Sequence, residues 1–167
     1  NLAGHGSGTI HEHIMQLNSD FYAPSIPGAL PSGEILKVDG TAFDFREPKT
    51  FGAGLATGEA QIVTAGGYDH NLCLSGGGYR AVGYVHSEAT GIRLTLSTDM
   101  PGMQLYCSGN ETPTENAKDG KSYPQFGAFC LETQFFPNAT AYSHFPQPVI
   151  PANTVFESQT AFKFTVE

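Results

Sequence analysis

Basic side chains are scarce in this sequence. Eight Lys and Arg stand against 16 Asp and Glu in 167 residues, for a net charge of −8. Binding nucleic acid or an anionic membrane through a basic face needs a cationic patch, and no cluster of Lys or Arg is present to form one. Long apolar runs are missing too, since none approaches the ~20 residues that a bilayer-spanning helix needs. No signal-peptide pattern is visible. Cysteine is limited to Cys73, Cys107 and Cys130. An odd count at wide spacing is neither a disulfide framework nor a zinc signature, and it leaves room for one disulfide. Cys73 and Cys130 stand among apolar neighbours and read as small buried hydrophobes. Also absent are an internal repeat, an interdomain linker and an apolar stripe of helical period ten or more residues long.

What is there is material for one β-rich domain. Forty per cent of the residues are hydrophobic, enough for a core, and 20 Gly and 11 Pro imply many turns. The dominant period is two. "GIRLTLST" puts Ile92, Leu94 and Leu96 on one face, and "TAFKFTVE" does the same with Phe162, Phe164 and Val166. Both predict half-buried strands. "GEILKV", "TAFDF", "YRAVGYV", "MQLYC" and "GAFCLET" predict shorter ones. Turn signals separate them, among them Asp39-Gly40, Gly76-Gly77-Gly78, Pro101-Gly102 and Asp119-Gly120. The expected fold is an all-β sandwich. One polar stretch, Ser108 to Gln125, is long for a connection in a packed domain and is expected either to rim a binding cleft or to run over the surface.

Several short stretches carry candidate chemistry. In "AFCLETQFFP", residues 128–137, Glu132 is the one charged residue, set among apolar neighbours. On a strand it shares a face with Cys130 and Gln134. A partly desolvated Glu suits general base work, whereas a solvent-facing Glu on an edge strand does nothing special. In "GGYDHNLCL", Asp69, His70 and Asn71 follow two glycines, either presenting a carboxylate and an imidazole to a ligand or closing a local turn. In "TDMPGMQLY", a Pro-Gly turn feeds a strand with Gln104 and Tyr106 on one face, side chains that hydrogen-bond sugar hydroxyls. The pair His11 and His13 in "HEH" would project to one side of a strand, but no third ligand stands at a metal-binding spacing. Asp69 and Glu132 also fit the carboxylate pair of a glycoside hydrolase. Asn110-Glu-Thr and Asn138-Ala-Thr are glycosylation sequons, relevant only to a chain that enters a secretory pathway.

Taken together, these stretches resemble the aldose 1-epimerase family. The resemblance rests on "NLAGHGSG", "LPSGEILKVDGTAFDFREP", "GYDHN", "TDMPGMQLYCSGN", "FCLETQFFPNA" and "HFPQPVIPANTVF", which run in family order over nearly the whole chain. It implies a β-supersandwich and interconversion of the α and β anomers of hexoses such as galactose and glucose. It implies no metal and no organic cofactor. Through its E-T-Q motif it makes Glu132 the general base, through G-[FY]-D-H-N it makes Asp69 a sugar ligand, and after the Pro-Gly turn it makes Gln104 a second one. Similar proteins carry their acid His in an N-H-x-Y-[FW]-N-L motif, of which this sequence holds only Asn1-Leu2. Residues 1–167 are therefore expected to form the C-terminal part of a single epimerase domain, with the catalytic His outside them and the N-terminal half as partner. The family is mostly cytosolic, while the sequons at Asn110 and Asn138 point to secretion. A non-catalytic carbohydrate-binding protein on the same scaffold is the competing expectation. A phosphosugar epimerase would need a basic cluster that these residues do not show, and a purely structural β-sandwich is the last alternative.

Overall fold

The alternating segments become two five-stranded antiparallel sheets in the structure, a computed structural model describing residues 1–167. The strands are β1 (Ile14–Leu17), β2 (Ser19–Ala23), β3 (Ser25–Ile26), β4 (Leu30–Pro31), β5 (Leu36–Lys37) and β6 (Lys49–Thr50), followed by β7 (Asp69–Leu74), β8 (Arg80–Ser87), β9 (Ile92–Thr98), β10 (Gly102–Cys107), β11 (Phe129–Gln134) and β12 (Thr160–Val166). Two short helices, α1 (Phe51–Leu55) and α2 (Ala60–Ala65), separate β6 from β7. One sheet has the order β12-β9-β8-β1-β6 and the other β11-β10-β7-β2-β5, with β3 and β4 as a separate hairpin. Apolar residues of the two inner faces meet between them. Met15, Leu17, Val82, Val85, Leu94 and Leu96 of the first sheet belong to one buried cluster with Leu72, Met103 and Leu105 of the second. Phe43, Phe45, Phe51 and Tyr68 join it through edge-to-face and tilted ring contacts with centroids 5.4 to 6.1 Å apart.

Four expectations need correction. "TAFDF" is not a strand. Its backbone turns back on itself through bonds from the Thr41 N–H to the Val38 carbonyl and from the Phe45 N–H to the Phe43 carbonyl, which replace ladder bonds. Ala42, Phe43 and Phe45 are nevertheless buried, so the apolar signal marked core without marking strand. "HEH" lies in a turn before β1. His13 is buried, and its Nε2 accepts the Leu2 N–H at 3.0 Å, while the His11 ring packs against Phe126. Cys130 is exposed, because it stands on the outer face of the edge strand β11, and all three cysteines are free thiols.

The fourth correction concerns β12. Its register sets Phe162 opposite Leu96 and Phe164 opposite Leu94, on the core side of the sheet. Yet Phe162, Phe164 and Val166 are 48, 61 and 78 % exposed. β12 is the edge strand, and nothing in the chain covers its apolar face. At its start the two sheets are tied by hydroxyls: Thr160 Oγ1 lies 2.6 Å from Thr133 Oγ1 and 3.0 Å from Thr98 Oγ1.

Candidate active site

The outer face of the second sheet carries the polar groups singled out in the sequence. Glycines deliver β7 to it. Gly66 closes α2 in the left-handed region (φ 68°) and Gly67 follows at φ 132°, where a side chain would be strained. Tyr68 then anchors the strand start, its N–H to Cys107 Sγ at 3.0 Å and its hydroxyl donating to the Ala42 carbonyl at 2.9 Å. Alternation from there sends Asp69, Asn71 and Cys73 outward and His70 and Leu72 inward.

Register assembles the rest. β10 pairs with β7 on one side and β11 on the other, so Asn71, Gln104 and Glu132 form one row across three strands. Asp69, Tyr106 and Cys130 form the next row. Directly opposed side chains on neighbouring strands stand ~5 Å apart at Cβ, close enough for one small ligand to touch several of them. Gln104 Nε2 donates to Asp69 Oδ1 at 2.8 Å, fixing both side chains across the two rows. The Tyr106 hydroxyl donates to Glu111 Oε1 at 2.9 Å, and burial first, then this bond, pushes the Tyr106 phenol up to about 12. Asn71 is 1 % exposed, and neither polar atom of its amide has a hydrogen-bond partner; Gln104 Oε1 has none either.

Asp69, Gln104 and Glu132 thus share one face of three neighbouring strands. Two details differ from expectation. Glu132 is exposed rather than desolvated, because β11 is the edge strand in these residues. No cation is paired with it. And His70 is not presented to a ligand. It is buried, its ring tilted against Phe43 with centroids 4.6 Å apart, with Nε2 2.9 Å from Gln61 Oε1 and 3.1 Å from Ser25 Oγ, and Nδ1 accepting the Asp69 N–H. No group of three His, Cys, Asp or Glu is close enough to hold a metal ion.

The long polar stretch at 108–125 supplies what periodicity did not flag. Glu111 reaches Tyr106, and the Asn110 amide donates to the Ala65 carbonyl at the end of α2. With the N-terminal residues the same stretch encloses a cavity of about 380 Å³, walled by Asn1, His5, Glu111, Thr114 and Tyr123 among others. Through these contacts the loop touches both the site row and the end of α2, while most of its residues from 110 to 122 are exposed.

A model of the family described as aldose 1-epimerase matches residues 1–163. Galactose mutarotase of Bos taurus is 38 % identical over 167 residues, which are 99 % of this chain and 47 % of the relative. Galactose mutarotase of Homo sapiens is 36 % identical with the same coverage, and aldose 1-epimerase of Escherichia coli is 29 % identical over all of this chain and 49 % of its own. The chain spans about half the length of the curated relatives it matches. Among solved structures, an aldose epimerase homologue from C. elegans superposes with a TM-score of 0.84 at 25 % identity, over 96 % of this chain and 48 % of its own. Galactose 1-epimerase from Lactobacillus acidophilus does so at 0.74 and 26 %, over 95 % and 45 %. With the family pattern running through both sheets and every site strand, the chain belongs to the aldose 1-epimerase family.

Proposed function

We propose that this protein interconverts the α and β anomers of a hexose, with Glu132 as general base and Asp69 and Gln104 as sugar ligands. The single observation that carries the reading is the register, which sets Gln104 opposite Glu132 on one side while its amide holds Asp69 on the other. A carboxylate on the outer strand and a second carboxylate fixed two strands away can act on different atoms of one ring. Glu132 takes the proton from the anomeric hydroxyl, and an acid delivers a proton to the ring oxygen. The C1–O5 bond breaks, the aldehyde rotates about C1–C2, and the ring closes on the other face of the carbonyl, returning both protons. Asp69 and Gln104 bind hydroxyls and hold the ring in register with the base.

In this proposal the acid lies outside residues 1–167 and is contributed by the N-terminal half of the family fold. Four of the six histidines here are otherwise engaged: His70 and His13 are buried on protein partners, His5 pairs with Asp119 at 3.1 Å, and His144 bonds the Gly33 carbonyl, while His86 lies on β8 in the other sheet and His11 in the turn before β1. The open apolar face of β12 is where that half would pack.

Polarimetry tests the reading. The protein, with any companion polypeptide retained, should speed the change in rotation of freshly dissolved α-D-galactose or α-D-glucose. Glu132→Gln should remove that acceleration, by about a hundredfold or more, while leaving thermal stability unchanged. Saturable sugar binding with no faster anomerisation would instead make this a non-catalytic sugar-binding protein.

A further inference from the structure

Asn71 has had no part in the site beyond its place in the row. It is a short polar side chain, 1 % exposed, on the outer face of a sheet, with neither its amide nitrogen nor its amide oxygen hydrogen-bonded. Gln104 Oε1, next to it on β10, is buried and unpartnered as well. Buried amide atoms without partners are costly, and a protein that tolerates three in one place holds them for something. The surroundings are shaped for the Asn71 amide. A Cβ on Gly102 would stand 2.6 Å from Asn71 Oδ1 and 2.9 Å from the Phe136 ring, so the glycine makes the room that the amide fills. Beside the amide is a cavity of about 10 Å³, the space of a single water-sized group, with Asp69 and Gln104 on its polar side and Ala29, Pro31 and Pro137 on its apolar side.

We infer that Asn71 is a specificity-determining residue of the sugar site, which binds one hydroxyl of the substrate through both atoms of its amide. The inference rests on the reading of this face as a sugar site. A hydroxyl matches the unpaired atoms in kind: it donates one hydrogen bond, to Asn71 Oδ1 or Gln104 Oε1, and accepts one, from Asn71 Nδ2. It matches the cavity in size. The apolar wall of Ala29, Pro31 and Pro137 excludes anything larger at that position. The sugar ring itself stays over Gln104 and Glu132, and only one substituent enters. A sugar lacking that substituent leaves the amide unpaired, which is how such a site discriminates.

The experiment is a mutant-by-substrate cycle. Dissociation constants are measured by calorimetry for the parent hexose and its monodeoxy analogues, on the wild-type protein and on Asn71→Leu, which keeps the shape and removes the hydrogen bonds. Asn71→Thr is carried in parallel in case the leucine variant does not fold. The wild type should bind one monodeoxy analogue roughly ten- to a hundredfold more weakly than the parent. The variant should bind the parent and that analogue equally, and every other deoxy sugar more weakly than the wild type does by the same factor. If the variant binds all sugars as the wild type does, or loses the same factor for every one of them, Asn71 contacts no substrate hydroxyl and the inference falls. If the wild type binds no hexose at all, the reading of the site falls first, and with it this one.

Discussion

His70 shows what burial does to a single side chain here. Desolvation lowers it to about 4, and His13 is lowered to about 4 as well, chiefly by burial. Both fall below the ~6.5 of an exposed imidazole, so between those values the unfolded chain binds protons that the folded chain refuses. Stability should be level above pH ~6.5, fall as pH drops from there to about 4, and level off again, with a loss on the order of 3 kcal/mol per histidine. Urea midpoints at pH 7, 5.5 and 4 check this, and a flat series would refute it. Thiol chemistry gives a second prediction at this scale. Cys130 is exposed while burial pushes the Cys73 thiol up to about 12 and the Cys107 thiol to about 11. Under native conditions iodoacetamide should label one thiol, and three in denaturant, as read by mass spectrometry. The strand positions of Asp69, Gln104 and Glu132 follow from a period of two, and the pairing of β7, β10 and β11 that sets them side by side does not, because register between strands leaves no mark on a single strand's alternation. Cys130 and Glu132 are both more exposed than their apolar neighbours in the sequence suggest, for one reason. Period fixes a residue's face, whereas exposure depends on whether another strand follows, and β11 has no neighbour on that side.

Among elements, the interior strands behave as their alternation suggests. β9 and β10 form within a residue of the expected segments, and the edge strand β11 within two. The misses are segments where side chains compete for the backbone. Around "TAFDF", Arg46 gathers Asp39 and Asp44 at 2.8 and 2.7 Å, and the Thr41 hydroxyl bonds the Val38 carbonyl, so local turns win over a ladder. Close approach of strands adds a constraint that period does not show. Gly83 on β8 sits opposite Leu17 on β1, and a Cβ there would collide with the Gln16 carbonyl oxygen and the Leu17 backbone. Gly83→Ala should therefore cost about 1–3 kcal/mol in chemical denaturation, although its helix and strand propensities would favour alanine. A neutral effect would mean that β1 and β8 do not pair as closely as described.

For the whole molecule, the open side is the defining feature. β12 keeps Lys163 among its outward residues, a charge that discourages edge-to-edge pairing, yet its three large apolar residues face water. Alone, the chain should self-associate as its concentration rises, and Phe164→Ser should reduce that association in sedimentation while changing stability by less than about 0.5 kcal/mol. A monomeric wild type together with a strongly destabilised variant would show that the face is already packed. The sandwich and its family were readable from the chain itself. The coverage of β12 was not, because a period of two is the same whether the apolar face meets another sheet or solvent.

The bond from the Asn110 amide to the Ala65 carbonyl also bears on where a glycan would sit. A glycan is attached through that same amide nitrogen, which keeps one N–H after attachment, so in the folded protein the first sequon is held against the end of α2 by the hydrogen that a glycan would leave in place. Asn138, exposed at a left-handed turn, stays open to the transferring enzyme. A sugar tree found on Asn110 would thus stand at the seam between the 108–125 loop and the end of α2, whereas one on Asn138 would stand clear of both.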